Sequence, residues 1–197
     1  IGGCILDADF WIKDIVVRQV PDFPKEIAQV PTEFFIAATA LPTGRPHWFS
    51  RADARSLFEI MHAAISLPGI SGSGVGIDGH VYADGCLSVS LQDAVAKAFA
   101  EGAEKVVLID NSTSYGRVSL VTRALLRLKT RSEAPSVRAL IEKYIEGTTR
   151  SQPRTDPNLL VCRRQRLATR HNLDRDAKRI RRTMAQGFAD MANLKLT

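Results

Sequence analysis

An α/β fold is predicted for this chain by three stretches. Residues 33–40, Glu-Phe-Phe-Ile-Ala-Ala-Thr-Ala, are almost wholly apolar and stop at Leu41-Pro-Thr-Gly44. Residues 105–110, Lys-Val-Val-Leu-Ile-Asp, form a second apolar run that closes on an acid. Just ahead of that run, Ser90-Leu-Gln-Asp93 opens a helical pattern with Leu91, Ala94, Val95, Ala98 and Phe99 on one side. Apolar runs of strand length bounded by turns suit strands covered on both faces. A helix that leads into a buried strand is the repeating unit of an α/β fold.

The other elements follow in order. Asp7 and Asp9 offer helix-start chemistry ahead of Phe10, Trp11, Ile12, Ile15 and Val16, a pattern that suits a short helix or an irregular packed segment about equally. Pro21 and Pro24 punctuate the chain, and residues 24–29 suit a short helical turn. Residues 46–49 return from Pro42-Thr43-Gly44 as the partner of the first strand. Ser50-Arg-Ala-Asp53 resembles a capping box, and Leu57, Ile60, Met61, Ala64 and Ile65 then recur at helical spacing until Pro68 stops them. Val75-Gly-Ile77 and His80-Val-Tyr82 flank Asp78-Gly79, the pair that supplies the positive backbone angles of a two-residue hairpin turn. Gly102 is placed to end the helix that starts at residue 90.

The carboxyl-terminal half reads as helical. Val118, Val121, Leu125 and Leu128 predict one apolar face, and a helix opening at Pro135 buries Val137, Leu140, Ile141, Tyr144 and Ile145. Residues 158–162 suit a strand. A last helix starts at Asn172 or Asp174 and is expected to bury Ala177, Ile180, Met184 and Phe188.

Composition bounds what the chain can be. With 197 residues, 45% of them apolar and 24% charged, it can bury a sizeable core as one domain of ordinary or slightly large size. No run of eighteen apolar residues exists to span a bilayer. Cys4, Cys86 and Cys162 are scattered and odd in number, which argues for a reducing compartment and against a disulfide scaffold or zinc site. The first residue is Ile1, with no basic lead and no signal-like stretch, so the sequence reads as starting inside a longer one. Location in the cytoplasm or at the periphery of a membrane is expected.

Charge is unevenly spread. Between Arg150 and Arg182 eleven Arg and Lys stand against three Asp, a balance of +8 in a chain of net +6. Lys178, Arg179, Arg181 and Arg182 are the densest part and the candidate anion-binding residues. A solvated helix face is the plainer reading. Nucleic acid is not expected, because the aromatic residues that stack on bases are not interleaved here.

Chemistry is sought at Asp84, an acid on an Asp-Gly turn after a strand. Asp before Gly can simply cap a turn through nearby amides. As a metal ligand it would want partners such as His62 or His80, but no ligand spacing is present and no metal or other cofactor is expected. As a catalytic base it would need a nucleophile from elsewhere in the fold. Gly74-Val-Gly76-Ile-Asp-Gly79 has the letters of a dinucleotide fingerprint, but its last Gly falls in a hairpin turn instead of opening a helix. Gly69-Ile-Ser71-Gly72-Ser73 approaches a nucleophile elbow, yet it follows a helix stop, not a strand.

Four segments in order carry a resemblance: Phe35-Ile-Ala-Ala-Thr39-Ala-Leu-Pro-Thr43-Gly44, Ala63-Ala-Ile-Ser66-Leu-Pro68-Gly69, Val81-Tyr82-Ala-Asp84-Gly85 and Gly102-Ala-Glu-Lys105-Val-Val-Leu-Ile-Asp110. Over roughly residues 30–112 the sequence resembles the later half of the patatin-like phospholipase family, and residues 158–191 resemble the basic helical extension of some bacterial members. The resemblance implies part of a three-layer fold with a mostly parallel sheet. Residues 1–112 would be the later half of the hydrolase domain, and residues 113–197 a helical basic extension packed on it. It further implies a serine lipid acyl hydrolase, a phospholipase or esterase with a Ser and Asp dyad, acting on a lipid or small ester.

In that reading Asp84 is the catalytic Asp of the dyad, accepting the serine proton and returning it to the leaving alcohol, and Gly85 and Cys86 support its turn. Cys86 stands where the family has a second Gly, and Ala64 where it often has Ser. The family's Gly-rich oxyanion loop and Gly-x-Ser-x-Gly elbow have no counterpart here, so the chain by itself is expected to be inactive. An amino-terminal companion would carry the nucleophile. The alternative is a noncatalytic module that binds anionic lipid or nucleic acid through its basic carboxyl-terminal helix.

Overall fold

A computed structural model of the chain describes residues 7–110, 120–147, 154–163 and 176–192. Cys4, Val118, Arg150 and the expected helix start at Asn172 or Asp174 lie outside those residues. Two compact units are formed, one from residues 1–90 and 116–151 and the other from residues 91–115 and 152–197. This grouping differs from a division at residue 112, because each unit is made of two separate stretches of chain.

The first unit opens with a wide π-helical stretch, Phe10–Val16, that runs into a last turn, α1 (Val17–Gln19), and then α2 (Phe23–Gln29). Strands β1 (Phe35–Leu41) and β2 (Arg45–Ser50) form the expected hairpin, pairing from Phe35 with Ser50 to Ala40 with Arg45. At its end Ser50 Oγ accepts the Ala52 amide at 3.2 Å while the Asp53 carboxylate accepts the Ser50 amide at 2.7 Å. That reciprocal cap starts a 3-10 turn, Arg51–Ser56, which leads into α3 (Leu57–Ile65). A second hairpin, β3 (Val75–Ile77) and β4 (His80–Asp84), turns on Asp78 and Gly79 with φ of 47° and 78°. Both central positions of the turn are left-handed, as a two-residue hairpin requires.

These strands make one four-stranded sheet in the order β2-β1-β4-β3, and every pairing in it is antiparallel. The expectation of a mostly parallel sheet therefore fails, and a patatin-like three-layer fold is not formed. The reason is local. Each of the two tight turns can join only antiparallel neighbours, since a parallel pair needs a long crossover. What stands is mixed α/β structure.

Side-chain alternation splits the interior of this unit. On one side Ala38, Phe49, Ile77 and Tyr82 pack with Ile60 and Ala63 of α3. Ala83 turns the other way, into a cluster with Leu67, Leu87, Leu126, Ile141 and Ile145. The last three come from α5 (Leu120–Lys129) and α6 (Pro135–Glu146). Helix α6 buries Val137, Leu140, Ile141 and Ile145, as its periodicity predicts. Helix α5 does not: Leu126 is fully buried, while Val121 and Leu128 are 78% and 60% exposed. Its apolar residues occupy more than one face, so spacing alone could not choose the buried one, and packing against α6 selects Leu126.

The second unit contains α4 (Leu91–Ala100), β5 (Val106–Asp110), β6 (Leu159–Arg163) and α7 (Ala177–Ala192). Strand β5 pairs in parallel with β6, from Val106 with Leu159 to Asp110 with Arg163. Parallel pairing was expected of β5, but burial on both faces is not found: Val107 and Ile109 are 44% and 57% exposed. The expected buried stripe of α7 is likewise turned out, with Met184 and Phe188 exposed.

Among the described residues no helix is long and apolar enough to cross a membrane.

Candidate functional site

Asp84 is the last residue of β4, one of the two central strands of the four-stranded sheet. Its backbone is fixed on both sides. The Asp84 amide donates to the Ser66 carbonyl at 2.9 Å, and the Asp84 carbonyl accepts from the Thr39 hydroxyl at 2.8 Å. Thr39 is fully buried in β1 and also shares a 2.8 Å hydrogen bond with the Ser88 hydroxyl. Thus β1, the end of α3 and the segment after β4 hold one residue in place.

The carboxylate caps the 3-10 turn Gly85–Leu87, with Oδ1 accepting the Cys86 amide at 2.9 Å. Half-burial pushes the Asp84 carboxyl above the usual carboxylate range, and hydrogen bonds from the Cys86 amide and thiol pull only partly the other way. A carboxyl held this way is a better proton acceptor than one in water. Proton affinity raised by burial at the rim of a sheet is the kind of tuning that acid–base sites use.

Gly85 is required for a reason other than turn flexibility. A Cβ built on it would lie 2.6 Å from the Ala37 carbonyl oxygen of β1. Only a residue without a side chain lets the turn pass so close to that strand. Cys86, the departure from a second glycine, is accommodated without strain, since Asp78 is the one non-glycine with positive φ among the described residues.

The remaining sequence candidates fall elsewhere. Ser71 is buried, with its hydroxyl accepting the Leu67 amide at 2.8 Å and donating to the Ile65 carbonyl at 2.6 Å. That hydroxyl stitches the end of α3 to the following loop and does not stand exposed on an elbow. His80 is exposed on β4 beside Tyr82, with ring centroids 6.4 Å apart, and His62 Nδ1 lies 3.9 Å from Asp9 Oδ1. Among the described residues, no three His, Cys, Asp or Glu side chains gather as a metal shell. Gly74 to Gly79 span β3 and its turn, and strand β4 follows them where a helix would have to receive a pyrophosphate.

Lys178, Arg179, Arg181 and Arg182 all lie on α7 in the second unit. Asp176 caps that helix, accepting the Lys178 and Arg179 amides at 2.9 and 3.1 Å, and its other oxygen lies 3.5 Å from Arg179 Nη1. Arg179 is thereby half-buried, while Lys178, Arg181 and Arg182 are exposed. By helical spacing the four cations spread over about 160° of the helix circumference.

The sequence singled out Asp84, Gly85 and Cys86 but not Thr39, Ser66 and Ser88, which hold that turn in place. One signal for Thr39 was available: it is the only polar residue in the run Phe35–Leu41. A hydroxyl inside such a strand must find a partner when buried.

The chain matches no family model, no curated protein and no solved structure.

Proposed function

We propose that this chain supplies the acidic half of a serine lipid acyl hydrolase, with Asp84 serving a serine carried on a companion segment. The observation that carries the reading is the state of Asp84: anchored through its backbone at the end of a central strand, half-buried, and raised in proton affinity. In support, the Thr39 and Asp84 segments, two of the four motifs of the patatin-like resemblance, meet in space.

In this reading the Asp84 carboxylate takes the proton of the serine hydroxyl as its oxygen attacks the ester carbonyl. The same proton then passes to the leaving alcohol. Water repeats the sequence on the acyl-enzyme and frees the acid. Gly85 lets the turn pass close to β1, and Thr39 keeps the carboxylate at a fixed depth. Without the nucleophile the rate falls by about a millionfold.

A fluorophosphonate probe tests this. The isolated chain takes no label and does not hydrolyse p-nitrophenyl butyrate. Material purified from its source contains a companion polypeptide whose serine is labelled, and Asp84→Asn in that assembly removes the labelling. Labelling of the isolated chain, absence of a companion, or labelling that survives Asp84→Asn each refutes the proposal.

A further inference from the structure

Helix α7 is built inside out. Its less exposed positions are Asp176 just before it, Arg179, Thr183 and Gly187, three or four residues apart along one side. Thr183 Oγ1 is buried there without a hydrogen-bond partner. Ile180, Met184 and Phe188, also four apart, are 38%, 59% and 75% exposed. A helix with an apolar stripe normally turns that stripe inward. Here a small and polar side is the less exposed one, while the apolar stripe beside it stays in water.

The charges indicate what would cover the stripe. Lys178, Arg181 and Arg182 are exposed on the same helix, and at 3.6 residues per turn Arg181 lies only about 20° around the axis from Phe188. In sequence, α7 carries four cations against the single acid Asp190. A second copy laid on this face would oppose like charges. Nucleic acid would pair with the arginines and leave Ile180, Met184 and Phe188 in water. A bilayer with anionic head groups satisfies both features, taking the apolar side chains below the head groups while Arg181 at their edge reaches the phosphates.

We propose that α7 is an interfacial anchor that inserts Ile180, Met184 and Phe188 into an anionic lipid surface. The proposal rests on α7 alone and does not depend on Asp84 or on a nucleophile.

The test is sedimentation of the full chain with phosphatidylcholine vesicles, with and without a quarter phosphatidylserine. Binding is expected to the mixed vesicles, and to weaken about fivefold for Arg181→Gln. The double variant Met184→Gln/Phe188→Gln is expected to lose it more than tenfold, with unchanged helical circular dichroism because both positions are exposed. Equal binding to both kinds of vesicle, or full binding by the double variant, overturns the proposal. A chain that ignores vesicles and is instead a dimer, split by that same double variant, also overturns it and assigns the stripe to a second copy.

Discussion

Gly85→Ala tests how the candidate turn is built. The new Cβ would stand 2.6 Å from the Ala37 carbonyl oxygen, 2.9 Å from the carbonyl carbon and 3.0 Å from the Ala37 Cβ, whereas ordinary contact begins at 3.4 Å. The turn and β1 would have to part by about 0.8 Å (3.4 − 2.6). Neither side yields easily, since β1 is paired with β2 from Phe35 to Ala40 and with β4 from Ala38 to Leu41, and the turn is tied to it through Asp84 and Thr39. Overpacking against backbone belongs at the upper end of its range, about 3 kcal/mol. Alanine recovers about 0.4–1 kcal/mol by narrowing the unfolded ensemble, leaving a net loss of about 2 kcal/mol. With a urea slope of about 2 kcal/mol/M, the midpoint falls by about 1 M. Urea titration followed by tryptophan fluorescence and far-ultraviolet circular dichroism reads this directly. Gly76→Ala is the control, because nothing lies within 4 Å of a Cβ there, and its midpoint is expected to stay put or rise. An unchanged or raised midpoint for Gly85→Ala refutes the close-approach argument.

Four further outcomes are expected. Thr39→Val keeps the side-chain shape but strands the Asp84 carbonyl and the Ser88 hydroxyl, costing about 1–2 kcal/mol in the same titration; a neutral result denies Thr39 its supporting role. Because the folded value of Asp84 lies above its ordinary one, the folded chain binds that proton more tightly. Stability therefore falls as pH rises from about 4 through the folded value, and Asp84→Asn flattens that slope while still accepting the Cys86 amide; parallel curves for the two proteins count against it. Ser71→Ala loses both bonds at the end of α3 and about 1–3 kcal/mol, without changing any esterase labelling. Leu126→Ala costs about 2–5 kcal/mol and Leu128→Ala less than about 0.5 kcal/mol, and similar values for both would contradict the assigned buried face of α5.

Elements whose cause is local were legible in the residues alone. Asp78-Gly79 can adopt the two left-handed conformations of its turn, and Ser50 with Asp53 closes its cap within four residues. Pro135 starts α6, and Val137, Leu140, Ile141 and Ile145 point inward together because they share one stripe. The Asp84 turn was legible for the same reason, since Asp followed by Gly after a strand is a short-range signal. Whatever depends on contacts between distant residues was set by the folded arrangement. That Gly85 faces Ala37 and that Thr39 reaches Asp84 follow from the pairing of β1 with β4, some 45 residues apart along the chain. The pairing of the two hairpins through β1 and β4, the choice of Leu126 over Leu128, and the outward stripe of α7 have the same origin. A periodic apolar pattern states that a face can be buried, but which face is buried depends on what the rest of the fold brings against it.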